Sequence, residues 1–251
     1  MLTHERKAHI MAMLQRDGRV IAKTISHALG LSEDTIRRDL RELAAEGRLQ
    51  RVHGGALPSS PALAGFARRM EVSPEGKAAV GRKAASLVRP GQVIFLDGGT
   101  TAVQVARHLP PDLRATVVTH SPSIAVVLAD HPNVEVELIG GRLFKHSIVT
   151  VGTAAAEAIS RVRADLFFMG VTGVHHEAGL TTGDAEEASV KRALARQAAE
   201  TVVMASAEKI GAASPFLILP VADISTIIVD GDLRDEAANT YRALGITILS
   251  A

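Results

Sequence analysis

The sequence contains no cysteine among its 251 residues. Disulfide bonds and thiolate metal sites are therefore excluded, and the composition fits a reducing compartment. No apolar run reaches the roughly 18 residues that a membrane-spanning helix needs, because the best candidate, 214–230, is interrupted by Pro220 and Asp223. The first ten residues lack the apolar stretch of a signal peptide. We therefore expect a cytoplasmic protein without a membrane partner.

The sequence also lacks a strong net charge, since 28 basic and 27 acidic residues give a formal charge of +1. The charges are unevenly distributed, however. Residues 1–57 hold 10 of the basic and 7 of the acidic residues, and the rest of the chain holds 18 and 20. This asymmetry has the sign expected for a DNA-binding domain attached to a slightly acidic second domain.

The first 57 residues have the periodicity of three short helices followed by a hairpin. Predicted helices cover 3–16, 21–29 and the residues that follow Ser32, and the predicted hairpin covers 48–56. The hydroxyl of Ser32 can cap the third helix. In that helix Ile36, Leu40 and Leu43 recur at intervals of four and three residues and form one apolar face. The paired arginines at 37 and 38 are left on other faces.

The start of the third helix and the hairpin carry the residues expected to contact DNA. Arginine can donate two hydrogen bonds to a guanine edge or pair with a phosphate. A solvated helix face is the alternative for a single arginine pair, but three helices, a capped third helix and a basic hairpin together favour DNA binding. The predicted DNA-contacting residues are Ser32, Thr35, Arg37, Arg38, Arg51 and His53.

Beyond a linker rich in proline and serine, the pattern changes to alternating helices and strands. Such alternation predicts an α/β domain with a mostly parallel sheet. Predicted strands cover 92–96, 115–119, 134–139, 165–171, 202–205, 226–229 and 246–249, and predicted helices cover 74–88, 102–108, 121–129, 153–160, 185–200 and 233–244. The chain is accordingly divided into a DNA-binding domain (1–57), a linker (58–72) and an α/β domain (73–251).

In parallel α/β sheets, ligands bind beyond the carboxyl ends of the strands. Here those ends carry glycines that admit an anion close to the backbone, hydroxyl groups that can donate hydrogen bonds, and nearby cations. This combination predicts a phosphate-binding site. The predicted effector-binding residues are Asp97, Gly98, Gly99, Thr100, Thr101, Thr119, Ser121, Arg142, Gly170, Thr172, Gly173, Glu187, Lys191 and Lys209.

Several of these patterns permit other interpretations. The G-G-T-T turn could be a plain connection, and Glu187 and Lys191, four residues apart, could pair on a helix surface. Ser206 and Lys209 fit the S-x-x-K pattern of serine hydrolases, but its companion motifs are missing. The H-H-E sequence at 175–177 suggests zinc, but adjacent histidines point apart on a strand and a third ligand is not evident. No catalytic residue, metal site or cofactor is therefore predicted.

The N-terminal segment resembles the DeoR-type winged helix-turn-helix. The pattern S-x-x-T-[IV]-R-[RK]-D-L matches residues 32–40, and the wing ending R-x-H-G-G-A matches residues 51–56. The resemblance implies that residues 6–57 fold as a winged helix-turn-helix. It also implies that Asp39 has a structural role, such as orienting a neighbouring arginine, and does not read bases.

Residues 73–251 resemble the DeoR C-terminal sensor domain, which is similar in fold to ribose-5-phosphate isomerase. The motifs that carry this resemblance are D-G-G-T-T at 97–101, T-x-S at 119–121, G-G-R at 140–142, G-x-x-G at 170–173, E-A-x-V-K-R at 187–192 and S-x-x-K at 206–209. Many members have Asn in place of His120 and Asp in place of Thr172. These two departures leave the identity of the sugar open.

The resemblance implies a DNA-binding transcriptional regulator, a repressor of carbohydrate metabolism genes, that responds to a phosphorylated sugar. Its expected partners are an operator in double-stranded DNA, that sugar phosphate, and further copies of the chain in a dimer or tetramer. The alternative is a sugar-phosphate isomerase with a DNA-binding domain. The isomerase loops D-G-A-D-E and K-G-G-G are replaced here by G-V-T-G and G-G-R, which lack the acidic pair and that lysine. Asp97 and Glu187 are the carboxylates left that could act as bases, and a regulator is favoured over an enzyme.

Overall fold

The N-terminal domain packs three helices against a small antiparallel sheet. A computed structural model describes residues 1–60, 65–233 and 235–251. Its first elements are α1 (Thr3–Asp17), β1 (Val20–Ile21), α2 (Ala22–Leu29), α3 (Glu33–Ala45), β2 (Leu49–Val52) and β3 (Gly55–Pro58). The strand order is β1-β3-β2. The three helices and the hairpin predicted from the sequence are confirmed, and together they form a winged helix-turn-helix.

Apolar residues spaced along the three helices meet in one core. Ile10 of α1, Ile25 of α2, and Ile36 and Leu43 of α3 are fully buried there. Gly30 lies between α2 and α3 with φ 63°, a left-handed conformation that glycine adopts without a steric penalty. The short turn it makes fixes the angle between α2 and α3, and so leaves the first turn of α3 on the surface.

The second domain contains seven α-helices and twelve strands along the described chain. Its helices are α4 (Phe66–Glu71), α5 (Pro74–Ala85), α6 (Thr100–His108), α7 (Pro122–Leu128), α8 (Thr153–Ser160), α9 (Ala185–Gln197) and α10 (Asp235–Ala243), with short 3-10 turns at Ala207–Lys209 and Val221–Asp223. Its strands are β4 (Val93–Leu96), β5 (Ala115–Thr119), β6 (Val134–Leu138), β7 (Arg142–Phe144), β8 (Val149–Val151), β9 (Ala164–Gly170), β10 (Gly173–His175), β11 (Gly179–Thr182), β12 (Ala198–Ala205), β13 (Phe216–Leu219), β14 (Thr226–Val229) and β15 (Thr247–Ser250).

A seven-stranded parallel sheet forms the centre of this domain, as predicted. Its strand order is β15-β14-β12-β9-β4-β5-β6. From β4 the chain builds outward through β5 and β6, and then returns to add β9 on the opposite side of β4. The carboxyl ends of β4 and β9 therefore lie at a topological switch point, where open α/β sheets bind their ligands.

Both faces of the sheet are buried, as is usual for parallel strands. Phe95 and Phe167 project to one face and pack edge to face, with ring centroids 6.3 Å apart. Ile94 and Phe168, their neighbours along β4 and β9, project to the opposite face and pack under α5 and α6.

Three features differ from the sequence-based expectation. Residues 66–71 of the predicted linker form α4, while 61–64 lie outside the described residues, as does residue 234 of the last predicted helix. Helix α9 ends at Gln197 because Ala198 already pairs with Ala164 of β9. The hairpin β7–β8 and the antiparallel sheet β10-β11-β13 were not predicted.

Among the described residues, no helix is both long and apolar enough to cross a membrane.

Candidate functional site

The first turn of α3 is held by its own side chains. The Ser32 hydroxyl accepts a hydrogen bond from the Thr35 backbone N–H at 3.2 Å and lies 2.9 Å from the Thr35 hydroxyl. Glu33 and Asp34 occupy the first turn, where the helix dipole favours negative charge. Ser32 therefore acts as the N-cap, as predicted from the sequence, and presents a rigid helix start to the solvent.

A buried ion pair joins this helix to α1. Asp39 is 1% exposed, and both of its carboxylate oxygens accept hydrogen bonds from the guanidinium of Arg6. The pairing is bidentate, which fixes orientation as well as distance. Asp39 is thus structural, and the arginine it holds lies on α1 and not on α3.

The predicted DNA-contacting residues with basic side chains are all exposed. Arg37 pairs with Glu33 at 2.7 Å, whereas the exposed Arg38 has no hydrogen bond or ion pair within the described chain. Arg37, Arg51 and His53 line a groove between α3 and the wing. The wing is held close to β1, since a Cβ on Gly55 would lie 1.9 Å from the Val20 carbonyl oxygen.

The DNA-binding domain also contacts the second domain. The guanidinium of Arg19 donates to both oxygens of Glu177, at 3.0 and 2.9 Å, in the turn between β10 and β11. Where the chain leaves the wing, the Ala213 N–H donates to the Pro58 carbonyl at 3.3 Å, and Ser59 forms a β-bridge with Ala213. Two sets of polar contacts, at Arg19 and at the residues that follow the wing, therefore connect the DNA-binding domain to the second domain.

At the switch point, Asp97 organises the ends of β4 and β9. One carboxylate oxygen accepts from the Gly98 N–H at 2.8 Å and from His120 Nε2 at 2.9 Å. The other accepts from the Gly170 N–H at 2.8 Å and from Lys191 Nζ. Burial raises the pKa of Asp97, but Lys191 and His120 outweigh burial and lower that pKa to about 2. The prediction was that Asp97 contacts an effector. Its carboxylate is instead fully buried and positions the backbones of Gly98 and Gly170.

His120, which was not among the predicted site residues, completes this cluster. Its Nδ1 lies 2.9 Å from the Thr150 carbonyl oxygen, and its Nε2 faces Asp97. Both ring nitrogens therefore face oxygens that accept hydrogen bonds. The cluster places His120 and Lys191 on the two oxygens of one buried carboxylate beneath the strand ends.

The pair Glu187–Lys191 is buried and does not lie on a helix surface. Lys191 is 3% exposed. Its ammonium donates to the Gly170 carbonyl at 3.0 Å and lies 3.6 Å from Glu187, which in turn accepts from the Thr182 hydroxyl at 2.8 Å. Desolvation lowers the pKa of Lys191, but the carboxylates of Asp97 and Glu187 raise it by more. The alternative of a simple surface pair is therefore wrong.

Above the cluster lies a cleft that collects nine of the fourteen predicted effector-binding residues. It is lined by Gly98, Gly99, Thr100, Thr101, Gly170, Thr172, Glu187, Lys191 and Lys209. The backbone of Gly99 has φ 101°, a conformation that favours glycine, and α6 starts at the next residue. The unpaired N–H groups of a helix start, together with their dipole, attract an anion.

Cations outnumber carboxylates around this cleft, and one of them has no partner. The lining includes Arg69, Lys77, Lys191 and Lys209 against Glu187 and Glu208. Lys209 is 8% exposed, and its ammonium makes no hydrogen bond or ion pair with the described part of the chain. Burial lowers the pKa of Lys209 to about 8, so it remains mostly protonated at neutral pH. A buried, unpaired cation favours binding of an anion.

Arg69 and Lys77 were missed because one lies in the predicted linker and the other on α5. The Arg69 guanidinium donates to the His146 carbonyl and the Ser147 hydroxyl, both at 3.3 Å, while its buried Nε is unpaired. Lys77 holds α4 in place by donating to the backbone carbonyls of Arg69 and Val72. The apolar residues Phe66 and Met70, four positions apart, are the local signal that could have indicated a helix there.

Four other predicted effector residues lie outside the cleft for identifiable reasons. The hydroxyls of Thr119 and Ser121 are buried and donate to the carbonyls of Leu96 and Ile148, at 2.7 and 3.1 Å. Gly173 faces the Ala212 carbonyl, which a Cβ would approach to 2.5 Å. Arg142 is exposed and pairs with Glu186 on the outer surface. Thr172 does line the cleft, but its hydroxyl donates to the Thr181 carbonyl and is hydrogen-bonded to the Ser214 hydroxyl.

The two alternative chemistries meet structural obstacles. The rings of His175 and His176 stack with centroids 4.4 Å apart, so the expectation that they point apart is wrong. However, two of the three groups that would bind zinc already have partners. His175 Nδ1 accepts from the N–H groups of Glu177 and Ala178, and the Glu177 carboxylate pairs with Arg19. The hydroxyl of Ser206 pairs with the nearby Glu208 carboxylate and not with the lysine that the S-x-x-K pattern requires.

Comparison with known proteins agrees with this two-domain arrangement. Family models match residues 6–61, as a DeoR-like helix-turn-helix domain, and residues 72–231, as a DeoR C-terminal sensor domain. The chain is 36% identical to the HTH-type transcriptional regulator GlpR of Haloferax volcanii, over 99% of this chain and 98% of that protein. It is 33% identical to the HTH-type transcriptional repressor GlcR of Bacillus subtilis, over 92% and 89%. A solved ribose 5-phosphate isomerase A from Methanocaldococcus jannaschii is similar over 53% of each chain, with 19% identity and a TM-score of 0.40.

Proposed function

The chain belongs to the DeoR family of transcriptional regulators, and we propose that a phosphorylated sugar bound in its cleft controls its affinity for operator DNA. The observation that carries this proposal is the buried, unpaired ammonium of Lys209, which faces the same cleft as the start of α6. A phosphate group supplies the missing negative charge and accepts hydrogen bonds from the helix start. The controlled genes are proposed to be those of carbohydrate metabolism, with the protein acting as a repressor in the cytoplasm.

The protein is a regulator and not an enzyme, in keeping with its full-length relatives GlpR and GlcR. The cleft supports this conclusion, because isomerisation needs a carboxylate base free to accept a substrate proton. Asp97 accepts four hydrogen bonds and lines no part of the cleft, and Glu187 is held by Thr182 and Lys191. The cleft contains groups that can bind an anion, while the carboxylates of Asp97 and Glu187 are engaged in hydrogen bonds and ion pairs within the protein.

Two short routes lead from the cleft to the DNA-binding domain. The Thr172 and Ser214 hydroxyls are hydrogen-bonded, 2.7 Å apart, and the adjacent Ala213 holds the chain where it leaves the wing, at Pro58 and Ser59. Arg69 lies on α4, within the predicted linker. A ligand that moves either group therefore shifts the attachment of the wing, and the proposed effect is weaker DNA binding by 5–150-fold, which is about 1–3 kcal/mol of coupling.

Operator recognition is proposed to require more than one copy of the chain. A single winged helix-turn-helix contacts few base pairs, and related half-sites about one helical turn apart are read by two symmetric copies. A dimer or a tetramer meets this requirement. The spacing of half-sites in a selected operator and the mass of the complex in light scattering distinguish these two assemblies.

The proposal is tested by ligand binding and operator release in the same preparation. An operator is first selected from random-sequence DNA, and a panel of sugar phosphates is then screened by thermal shift and fluorescence anisotropy. A true effector at a hundredfold excess over its Kd stabilises the protein by about 2.7 kcal/mol and changes operator affinity. If no phosphate ester stabilises the protein or alters DNA binding, the proposed function is wrong.

Lys209→Met provides the decisive variant, with Arg142→Met as the matched control. Removing a buried ammonium that has no partner relieves a desolvation cost, so we expect the unliganded Lys209→Met protein to be at least as stable as the parent. Its affinity for the effector is expected to fall at least tenfold. Arg142 lies outside the cleft, and its replacement is expected to leave effector affinity unchanged.

A further inference from the structure

A second chamber adjoins the anion-binding cleft. It is lined by Phe144, His146, Ser147, Gly183 and Asp184, and it shares Arg69, Thr172 and Glu187 with the cleft. The shared residues border both spaces and are referred to as the neck. The two spaces are therefore adjacent, and a ligand whose phosphate lies near Lys209 is close to the second chamber.

The two chambers differ in charge. The cleft holds three lysines, whereas Arg69 at the neck is the one cation among the residues that line the second chamber, which also contains two carboxylates. Asp184 uses one oxygen to cap α9, accepting from the N–H groups of Glu186 and Glu187 at 3.0 and 2.9 Å. Its other oxygen has no hydrogen bond within the described chain. A phosphate is repelled from this end, while a hydroxyl group finds an acceptor.

The second chamber also offers an aromatic wall. The rings of Phe144 and His146 lie 5.7 Å apart and are tilted by 36°, at the turn of the β7–β8 hairpin. That turn is fixed to α4, because the His146 carbonyl accepts from the Phe66 N–H at 3.1 Å and from Arg69. Apolar and aromatic walls with a few placed polar groups are typical of small-molecule sites.

We propose that the second chamber binds the polyhydroxylated carbon chain of the effector and determines which sugar phosphate the protein recognises. The inference rests on the proposed function, since it assigns the phosphate to the cleft and the sugar to the space beyond Arg69. The free oxygen of Asp184 and the exposed ring edge of His146 contact sugar hydroxyls, and Phe144 packs against the carbon chain. Selectivity then resides in residues that do not contact the phosphate.

A ladder of phosphate compounds of increasing length tests this assignment by titration calorimetry. The compounds are inorganic phosphate, glycerol 3-phosphate, ribose 5-phosphate and fructose 6-phosphate. Three variants are compared: Phe144→Ala, His146→Ala and Asp184→Asn. Asparagine is a good helix cap, so Asp184→Asn keeps α9 while removing the charge. Phe216→Ala, which alters an exposed aromatic residue on β13, is the matched control.

We expect the three variants to weaken binding of the longest ligand that the parent accepts by about fivefold or more, the effect of one lost hydrogen bond or ring contact. Binding of inorganic phosphate is expected to change less than about twofold, and the control variant to behave as the parent. Equal losses for inorganic phosphate and for sugar phosphates, or no loss for any compound, overturn the inference while leaving the proposed function standing. If the parent protein binds no member of the ladder, the proposed function itself fails and the inference fails with it.

Discussion

Lys191 on α9 donates to the carboxylate of Asp97, which lies 94 residues earlier in the chain at the end of β4. Both side chains are buried, and each supplies the charge that the other requires. The pair therefore joins the end of β4 to α9, the helix that precedes β12, at the switch point. It also fixes Gly98 and Gly170, whose backbones line the cleft.

Replacing Lys191 with methionine is expected to destabilise the protein and not merely to remove a ligand contact. The Asp97 carboxylate loses its closest cation in a buried site, which typically costs 3–5 kcal/mol. Urea unfolding measures the loss, and the double variant Asp97→Asn, Lys191→Met is expected to recover part of it. Lys145→Met, an exposed lysine on the β7–β8 turn, is the control. An unchanged unfolding free energy in Lys191→Met would contradict the buried pair.

Stability is expected to fall as the pH drops below about 4, through Asp97. Its pKa in the folded state is about 2, below the ordinary value of 3.8. A lowered pKa contributes stability that is present above the unfolded value and is lost as the pH falls through the folded value. The contribution is on the order of 2 kcal/mol. Unfolding free energies measured between pH 5 and pH 2, in the parent and in Asp97→Asn, should show a smaller slope in the variant.

Arg38→Ala is expected to abolish most sequence-specific DNA binding while leaving effector binding intact. Arg38 is exposed near the start of α3 and is not engaged by other described residues, so it is available to a base or a phosphate. Loss of a base contact costs about 1–3 kcal/mol, whereas loss of a phosphate contact weakens all sequences equally and reduces the salt dependence. Anisotropy titrations at several salt concentrations separate the two cases. Arg161→Ala, at an exposed position of the sensor domain, should bind DNA as the parent does.

Ser214→Ala is expected to reduce the effect of the ligand on DNA affinity without removing either binding activity. Its hydroxyl links Thr172 in the cleft to the segment that holds Pro58. Single changes along such a connection alter coupling by about 0.5–2 kcal/mol. The measurement is the ratio of operator Kd values with and without effector. If that ratio is the same in Ser214→Ala, in the parent and in the surface control Ser225→Ala, coupling follows another route.

The local parts of the structure were predicted well from the sequence. Helix α3 followed from the Ser32 cap and from the spacing of Ile36, Leu40 and Leu43, because a helix periodicity is complete within a dozen residues. The parallel sheet followed from the alternation of strands and helices. The hairpin β7–β8 and the sheet β10-β11-β13 were not predicted, because their strands are only three or four residues long and are too short to show a periodic pattern.

The sequence by itself determined that a winged helix-turn-helix precedes a parallel α/β domain, and that glycines and hydroxyls follow its strands. These features depend on residues close together in the chain. Only the tertiary structure decided which strand ends face one cleft, because the order of β4 and β9 arises from packing across the sheet. In the tertiary structure, Thr119, Ser121 and Arg142 lie outside the cleft, and Arg69 of the predicted linker lines it. Contacts between distant segments set burial and charge pairing, and local patterns do not contain them.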